Sequence, residues 1–146
     1  MSEEKSIMER IQDFMMTFPG IDENIPVEID SISDTPRSYS IMSAPSSPPV
    51  ADVLGGLTHT VVFEFSLREL ISDRDSRAEN VRFLENLNDW VWQQNHSHSF
   101  PEMYAGEKAV KIEVSDSGYL TDADESHKTG VYASLMKFTY KERKNI

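Results

Sequence analysis

The sequence has no cysteine, which excludes disulfides, thiolate catalysis and cysteine-ligated zinc, and is typical of a reducing compartment. No apolar run approaches the roughly 20 residues that a membrane-spanning helix needs. The first ten residues, MSEEKSIMER, are charged and lack the apolar segment of a signal peptide. These absences together predict a protein with no membrane partner that stays in the cytoplasm of the cell that makes it.

Basic residues are also few: 14 lysines and arginines stand against 25 aspartates and glutamates, a formal net charge of −11. Such a surface repels nucleic acid at long range. The charge therefore has two interpretations, solubility alone or an acidic surface that DNA passes without sticking. The length of 146 residues predicts one domain, residues 1–146, with a core that needs no disulfide.

Periodicity predicts an α+β fold. Residues 6–18 form an amphipathic helix, with Ser6 and Glu9 as a capping box. A strand covers 57–67, a long helix covers about 77–95 with Asp75 or Ser76 as its cap, and two further strands begin near 107 and 131. A polar excursion, 115–130, joins those last strands. We expect a sheet of about four antiparallel or mixed strands, packed by an N-terminal helix and one long central helix.

The same periodicities predict which side chains lie on one face of a helix or strand. On the long helix, an apolar stripe includes Val81, Leu84, Leu87 and Val91. In the strand that begins near 107, Val110 is expected on the same face as Ile112 and Val114.

Serine, proline and glycine are dense in residues 43–56, which predicts a long surface loop that is either functional or a floppy hairpin tip. The end of the chain, residues 141–146, is expected to be a short charged tail.

Two tryptophans lie two residues apart on the long helix, which separates them by about 200° around its axis. Trp90 continues the apolar stripe and is expected in the core. Trp92 then points away from that core, and tryptophan is enriched at interface hot spots. The helix is therefore expected to pack on two sides, one of them against a neighbour or a wrapped loop.

Three short patterns suggest chemistry, and each has a simpler explanation. His96 and His98 have the spacing of a shared metal ligand pair, but histidines at a helix end also complement its dipole or face water. The acidic run 122–125 lacks the glycine and third ligand of a calcium loop. The segment 72–79 pairs aspartates with arginines but also has the pattern of a helix start.

The ordered set of segments resembles the small tail-terminator or "minor capsid" proteins of tailed phages and phage-like elements of Gram-positive bacteria, similar to lambda-type tail terminators. The resemblance runs across most of the chain. It includes SYSIMSAPSSPPVADVLGG, HTVVFEFSLRE, DSRAENVRFLENLNDWVWQQN, FPEM, KIEVSDSGYLTDADES and GVYASLMKFTYKER. The acidic loop from Asp122 to His127 is somewhat longer than in that family.

The resemblance implies a structural protein that is not an enzyme and has no cofactor, metal or catalytic residues. It implies a homo-oligomeric ring, usually a hexamer, that caps the tail tube, halts its polymerisation and docks the head–tail connector. Its partners are then the tail tube protein, the neck protein and, in a contractile tail, the sheath. Its location is the virion tail, or a phage-like particle, after assembly in the host cytoplasm.

A closed ring of identical subunits needs two different patches on each subunit. The candidate patches for subunit or tube contacts are Ser46, Ser47, Pro48, Pro49, Val50, Leu54 and Trp92. The candidates for an acidic lumen, past which DNA slides without binding, are Asp116, Asp122, Asp124 and Glu125. The alternatives are another neck or tail-completion adaptor, a free α+β binding module and, last, an enzyme.

Overall fold

The computed structural model describes residues 4–124, 126 and 128–143, without the side chain of Ser117. In chain order the elements are α1 (Ile7–Met15), β1 (Val27–Ile29), β2 (Ser38–Ser43), β3 (Val50–Ala51), β4 (Leu57–Leu70), α2 (Arg74–His96), β5 (Glu107–Ala123) and β6 (Thr129–Glu142).

The strands form one mixed sheet in the order β1-β2-β4-β6-β5, and β3 pairs with β4 on the same side as β2. Among the strands of the described residues, only the pairing of β1 with β2 is parallel. The α+β class is confirmed, but the described residues form six strands rather than about four. β1 lies where the alternation of Ile25, Val27 and Ile29 favours a short strand or an edge, whereas β3 lies inside the predicted loop and is too short to show an alternation.

The pairing of β4 with β6 is the centre of the sheet. It runs without a register shift from Leu57 opposite Glu142 to Leu70 opposite Thr129. The predicted alternation of β4 is confirmed, because Phe63, Phe65 and Leu67 are buried on one face. The same face receives the following side chains of β6: Tyr132, Ser134, Met136, Phe138 and Tyr140.

Both helices cover this apolar face. The predicted capping box of α1 is present, since the Ser6 hydroxyl accepts from Glu9 N and the Glu9 carboxylate accepts from Ser6 N. Its apolar stripe buries Ile11, Phe14 and Met15 in the core. The α1 stripe reaches α2 through Phe14, whose ring lies 5.1 Å from that of Trp90.

Helix α2 begins earlier than predicted. Its N-cap is Asp73, whose side chain accepts from Ser76 N, so the prediction of Asp75 or Ser76 was wrong. The segment 72–79 is therefore the start of a helix. The side chain that accepts the hydrogen bond from Ser76 N belongs to the residue three positions before it. Leu84, Leu87 and Val91 are buried as expected, but Val81 is 46% exposed because Asn80 occupies the buried position of that turn.

Strand β5 departs most from the sequence prediction. It extends to Ala123 and β6 begins at Thr129, so most of the predicted excursion 115–130 is paired backbone. Four register shifts interrupt its pairing with β6. One lies between Ala109 and Lys111, which leaves Val110 exposed instead of facing inward with Ile112. Bulges of this kind are common on edge strands, where they discourage pairing with another sheet.

The predicted charged tail 141–146 is also shorter than expected. Lys141 and Glu142 belong to β6 and pair with Lys108 and Glu107 of β5. Residues 144–146 lie outside the described part of the chain.

The facing of α2 can be tested with two substitutions. Leu87→Ala removes a fully buried side chain and is expected to lower the free energy of unfolding by about 2–5 kcal/mol. Val81→Ala, in the same helix but exposed, is expected to cost less than about 1 kcal/mol. Urea denaturation followed by circular dichroism measures both, and equal losses would contradict this orientation of the helix.

Candidate functional site

The segment 43–56 is an ordered surface hairpin rather than a structureless loop. Val50 and Ala51 pair with Thr58 and Leu57 of β4. Asp52 organises the turn, because its Oδ1 accepts from Leu54 N at 2.8 Å and from Gly56 N at 2.9 Å. Gly55 has a φ of 86°, a left-handed conformation that glycine adopts without a steric cost. We call residues 52–56 the hairpin tip.

The hairpin tip carries large apolar side chains into solvent. Val53 is fully exposed and Leu54 is 86% exposed, and Val50 beside them is 67% exposed. A side-chain-to-backbone network that holds a turn in one conformation lowers the entropy lost when the turn binds a partner. The tip is therefore an exposed apolar surface on a turn held by hydrogen bonds.

The remaining loop candidates differ from the tip. The Ser46 hydroxyl accepts a hydrogen bond from Val62 N at 3.0 Å, and the Val62 carbonyl accepts one from Ala44 N. Ser46 thus completes the edge of β4 between β2 and β3. Ser47, Pro48 and Pro49 are exposed on the connection that follows.

Below the tip lies a groove of about 570 Å³, which we call the tip groove. It is lined by Asp52, Leu54, Gly56, Gly106, Glu107, Lys108, Lys141, Glu142 and Arg143. It therefore joins the tip to the end of the sheet where β5 starts and β6 finishes.

Trp92 lies on the outer surface of α2, as predicted, with 66% of the residue exposed. Its ring stacks on that of His96 at 5.4 Å with an interplanar angle of 4°. Trp90 is instead buried against Phe14 and Phe18. The expected separation of the two tryptophans is confirmed, while a contact partner for Trp92 stays a prediction.

A second groove, the Trp92 groove, runs between α2 and β5 with a volume of about 370 Å³. It is lined by Asn88, Val91, Trp92, Asn95, Ile112, Glu113 and Val114. Asn95 fastens the helix to the strand, since its Oδ1 accepts from Ile112 N at 3.0 Å. Within the described chain, Asn88 Oδ1 is buried without a hydrogen-bond partner.

The sequence offered no sign of Asn95 as a bridge, because the partner is a backbone amide on an edge strand 17 residues away. It also missed the buried ion pair between Arg10 and Glu107, which is 2.8 Å long and lies beside Tyr104. This pair ties α1 to the start of β5. Its position in the apolar packing under α1 gives it a structural role.

The acidic candidates are separated by the structure. Asp116 and Asp122 are exposed on β5, where they pair with Leu135 and Val131 of β6. Asp124 instead closes the β5–β6 turn by accepting from Lys128 N, from the Ser126 hydroxyl and from the Thr129 hydroxyl. Glu125 lies outside the described residues.

The histidine pair is not brought together as a metal site. His96 stacks on Trp92, while His98 has a φ of 59° and lies 6.1 Å from the ring of Phe100. His127 lies outside the described residues. Among the described residues, no group of three or more histidines or carboxylates has the geometry of a metal site.

Neither described helix is long and apolar enough to cross a membrane. No family model matches the chain, and no curated protein matches it. The resemblance to tail terminators therefore stays a prediction from the sequence.

The role of Asp124 in the turn predicts a pH effect. Burial acts to raise the pKa of Asp124, but the hydrogen bonds from Lys128 N and Thr129 outweigh it, and the net shift is downward. A carboxyl group with a lowered pKa stabilises the fold above its unfolded value of about 3.9, and this contribution is lost as the pH falls through the folded value.

We expect Asp124→Ala to lower the melting temperature at neutral pH, and the difference from the native chain to shrink below about pH 4. The control is Asp122→Ala, because that exposed carboxylate closes no turn. Thermal unfolding across this pH range measures both. An Asp124→Ala difference that stays constant with pH would contradict the assignment.

Proposed function

We propose that this chain is a structural subunit that assembles into a ring and caps the tube of a phage tail or phage-like particle. In this role it is a tail terminator: it stops tube polymerisation and presents a docking face to the head–tail connector. The proposal combines the sequence resemblance with one structural observation. A single subunit carries two unlike exposed apolar surfaces, the hairpin tip and Trp92.

Two unlike surfaces support a ring because head-to-tail contacts join one patch to a different patch on the next copy. The tip groove and the Trp92 groove share no lining residue, so a neighbour on one leaves the other free. Exposed large apolar side chains rimmed by polar residues are a common mark of protein contacts. Both surfaces also lie on elements held by defined hydrogen bonds, those of Asp52 and Asn95.

The net charge of −11 is compatible with a channel for DNA, since phosphate and carboxylate repel each other. Of the described acidic candidates, Asp116 and Asp122 are exposed on the single chain, while Asp124 is engaged in its turn. The proposed partners are the tail tube protein, the neck protein and, in a contractile tail, the sheath.

The direct test adds the purified chain to polymerising tail tube protein and measures tube lengths by electron microscopy. We expect shorter tubes with density at one end, and a native mass spectrum with a ring of several copies. Tubes of unchanged length together with a monomeric chain would contradict the proposal. Binding to the connector without any effect on tubes would favour a neck adaptor.

Trp92→Ala tests the first contact surface. If Trp92 is a hot spot, its removal raises the dissociation constant of the assembly by about 30-fold or more, while the far-UV circular dichroism of the subunit is unchanged. Trp90→Ala serves as the comparison, because it removes a buried ring and is expected to cost about 3–5 kcal/mol of folding free energy. Unfolding of the Trp92 variant would place that ring in the core instead.

The hairpin tip is tested by the double substitution Val53→Asp and Leu54→Asp. Both side chains point into solvent, so we expect folding to be unaffected and capping of tubes to fall by about tenfold or more. Val81→Asp on α2 is the control, since it places a charge at another exposed apolar position. Normal capping by the tip variant would remove the tip from the contact.

A further inference from the structure

The two helices cover one face of the sheet and leave the other face without a described helix. The register of the paired strands defines the residues of this helix-free face. From β4 it includes the even-numbered residues from Thr58 to Arg68, and from β6 the odd-numbered residues from Thr129 to Lys141. From β5 it includes Lys108, Lys111, Glu113, Asp116, Tyr119 and Asp122.

One end of the helix-free face is basic. Lys108 lies directly opposite Lys141, and Lys111 and Lys137 belong to the next two pairs on this face, two and four pairs further along the strands. Four of the seven lysines in the sequence are therefore gathered here. Glu113 is the acidic residue among them, and it forms a 3.4 Å ion pair with Lys111.

Two lysines that face each other on neighbouring strands destabilise a sheet. The cost is comparable to the stabilisation that a pair of oppositely charged residues gives there. Lys108 and Lys141 form no ion pair within the described residues, and Lys108 also lines the tip groove. In a chain with so few basic residues, this concentration of lysines favours a negatively charged partner at this end.

The opposite end of the same face is acidic. Glu64 and Asp116 both lie next to Leu135 in the register, and Asp122 follows at the far end. Burial raises the pKa of Tyr119, and the charges of Glu64 and Asp116 raise it further, which agrees with the clustering of these groups. Arg68 is the basic residue of this end, and its Nη1 donates to the Thr129 hydroxyl.

Small side chains lie beside these acidic groups. Ser40, Ser66 and Ala133 sit side by side in the register on β2, β4 and β6. All three are almost fully buried although no described helix covers them. The three residues are therefore covered by neighbouring side chains and are not part of the accessible surface of this face.

We propose that the helix-free face is a contact between copies of this chain, in which the basic end of one copy lies on the acidic end of another. Charge complementarity selects a second copy as the occupant, because both required ends are present on every copy. Nucleic acid would be drawn to the lysines but repelled by the acidic end, which a second copy can match with its own lysines. This contact rests on the proposed function only in expecting that the copies close into a ring.

The proposal predicts association that depends on ionic strength. Sedimentation velocity of the full chain is measured at ionic strengths of about 0.01 M and about 1 M, where the screening length falls from about 30 Å to about 3 Å. We expect oligomers at the lower ionic strength. At the higher ionic strength we expect the association to be weaker by about tenfold or more. A chain that is monomeric in both, or equally associated in both, would overturn the proposal.

A charge-swap pair tests the orientation of the contact. Variant one carries Lys108→Glu and Lys141→Glu, and variant two carries Asp116→Lys and Asp122→Lys. Each alone places like charges at the contact and is expected to weaken association by about tenfold or more. An equimolar mixture restores opposite charges at every contact, so association returns only if the two ends meet.

The control is Arg74→Glu with Arg82→Glu, which makes the same change in net charge as variant one but on the exposed side of α2. It is expected to associate like the native chain. Loss of association in the control, or a mixture that fails to restore it, would show that net charge rather than this face decides the outcome. Circular dichroism of every variant confirms that the subunits are folded.

The same proteins separate this inference from the proposed function. Salt-sensitive association with no effect on tail tubes would leave the contact standing and reject the tail terminator. Tube capping that is unaffected by either charge variant would leave the terminator standing and reject the contact.

Discussion

The uninterrupted antiparallel pairing of β4 with β6 is the constraint on which the rest of the structure depends. Its fourteen-residue register places the aromatic and branched residues of both strands on one face. A shift by one residue would turn every one of those side chains towards solvent, so burial of this face and the register require each other. The helices, the buried Arg10–Glu107 pair and both strand edges are arranged around that pairing.

The same register places the side chains that pack in the core on one face of the sheet and leaves the other face to contacts with other molecules. Because one face is filled by the helices, the surfaces left for other molecules are the opposite face, the hairpin tip and the outer side of α2. The hairpin tip and Trp92 are apolar, whereas the helix-free face is divided into a basic and an acidic end. Apolar contacts supply most of the affinity of an assembly, and charged contacts supply orientation and the choice of partner. A subunit with both kinds of surface suits an ordered, self-limiting assembly.

Sequence reasoning worked where one period persists over many residues. The alternation of β4, the stripe of α1 and the opposite facing of Trp90 and Trp92 all follow from fixed geometry of about 180° or 100° per residue. It failed on β5, because a bulge changes the period at a position that depends on the partner strand, as at Val110. It also failed on the hairpin in residues 43–56, where a two-residue strand is too short to show a period.

The amino-acid sequence by itself determined the α+β class, the inward faces of α1 and β4 and the absence of thiol chemistry, because these depend on local periodicity and composition. Only the tertiary structure decided which charges become neighbours. Lys108 and Lys141 are separated by most of two strands in sequence, and Glu64 and Asp116 by a helix and half a strand. Strand order and bulges bring each pair together, and both are set by long-range hydrogen bonds that local sequence patterns do not encode.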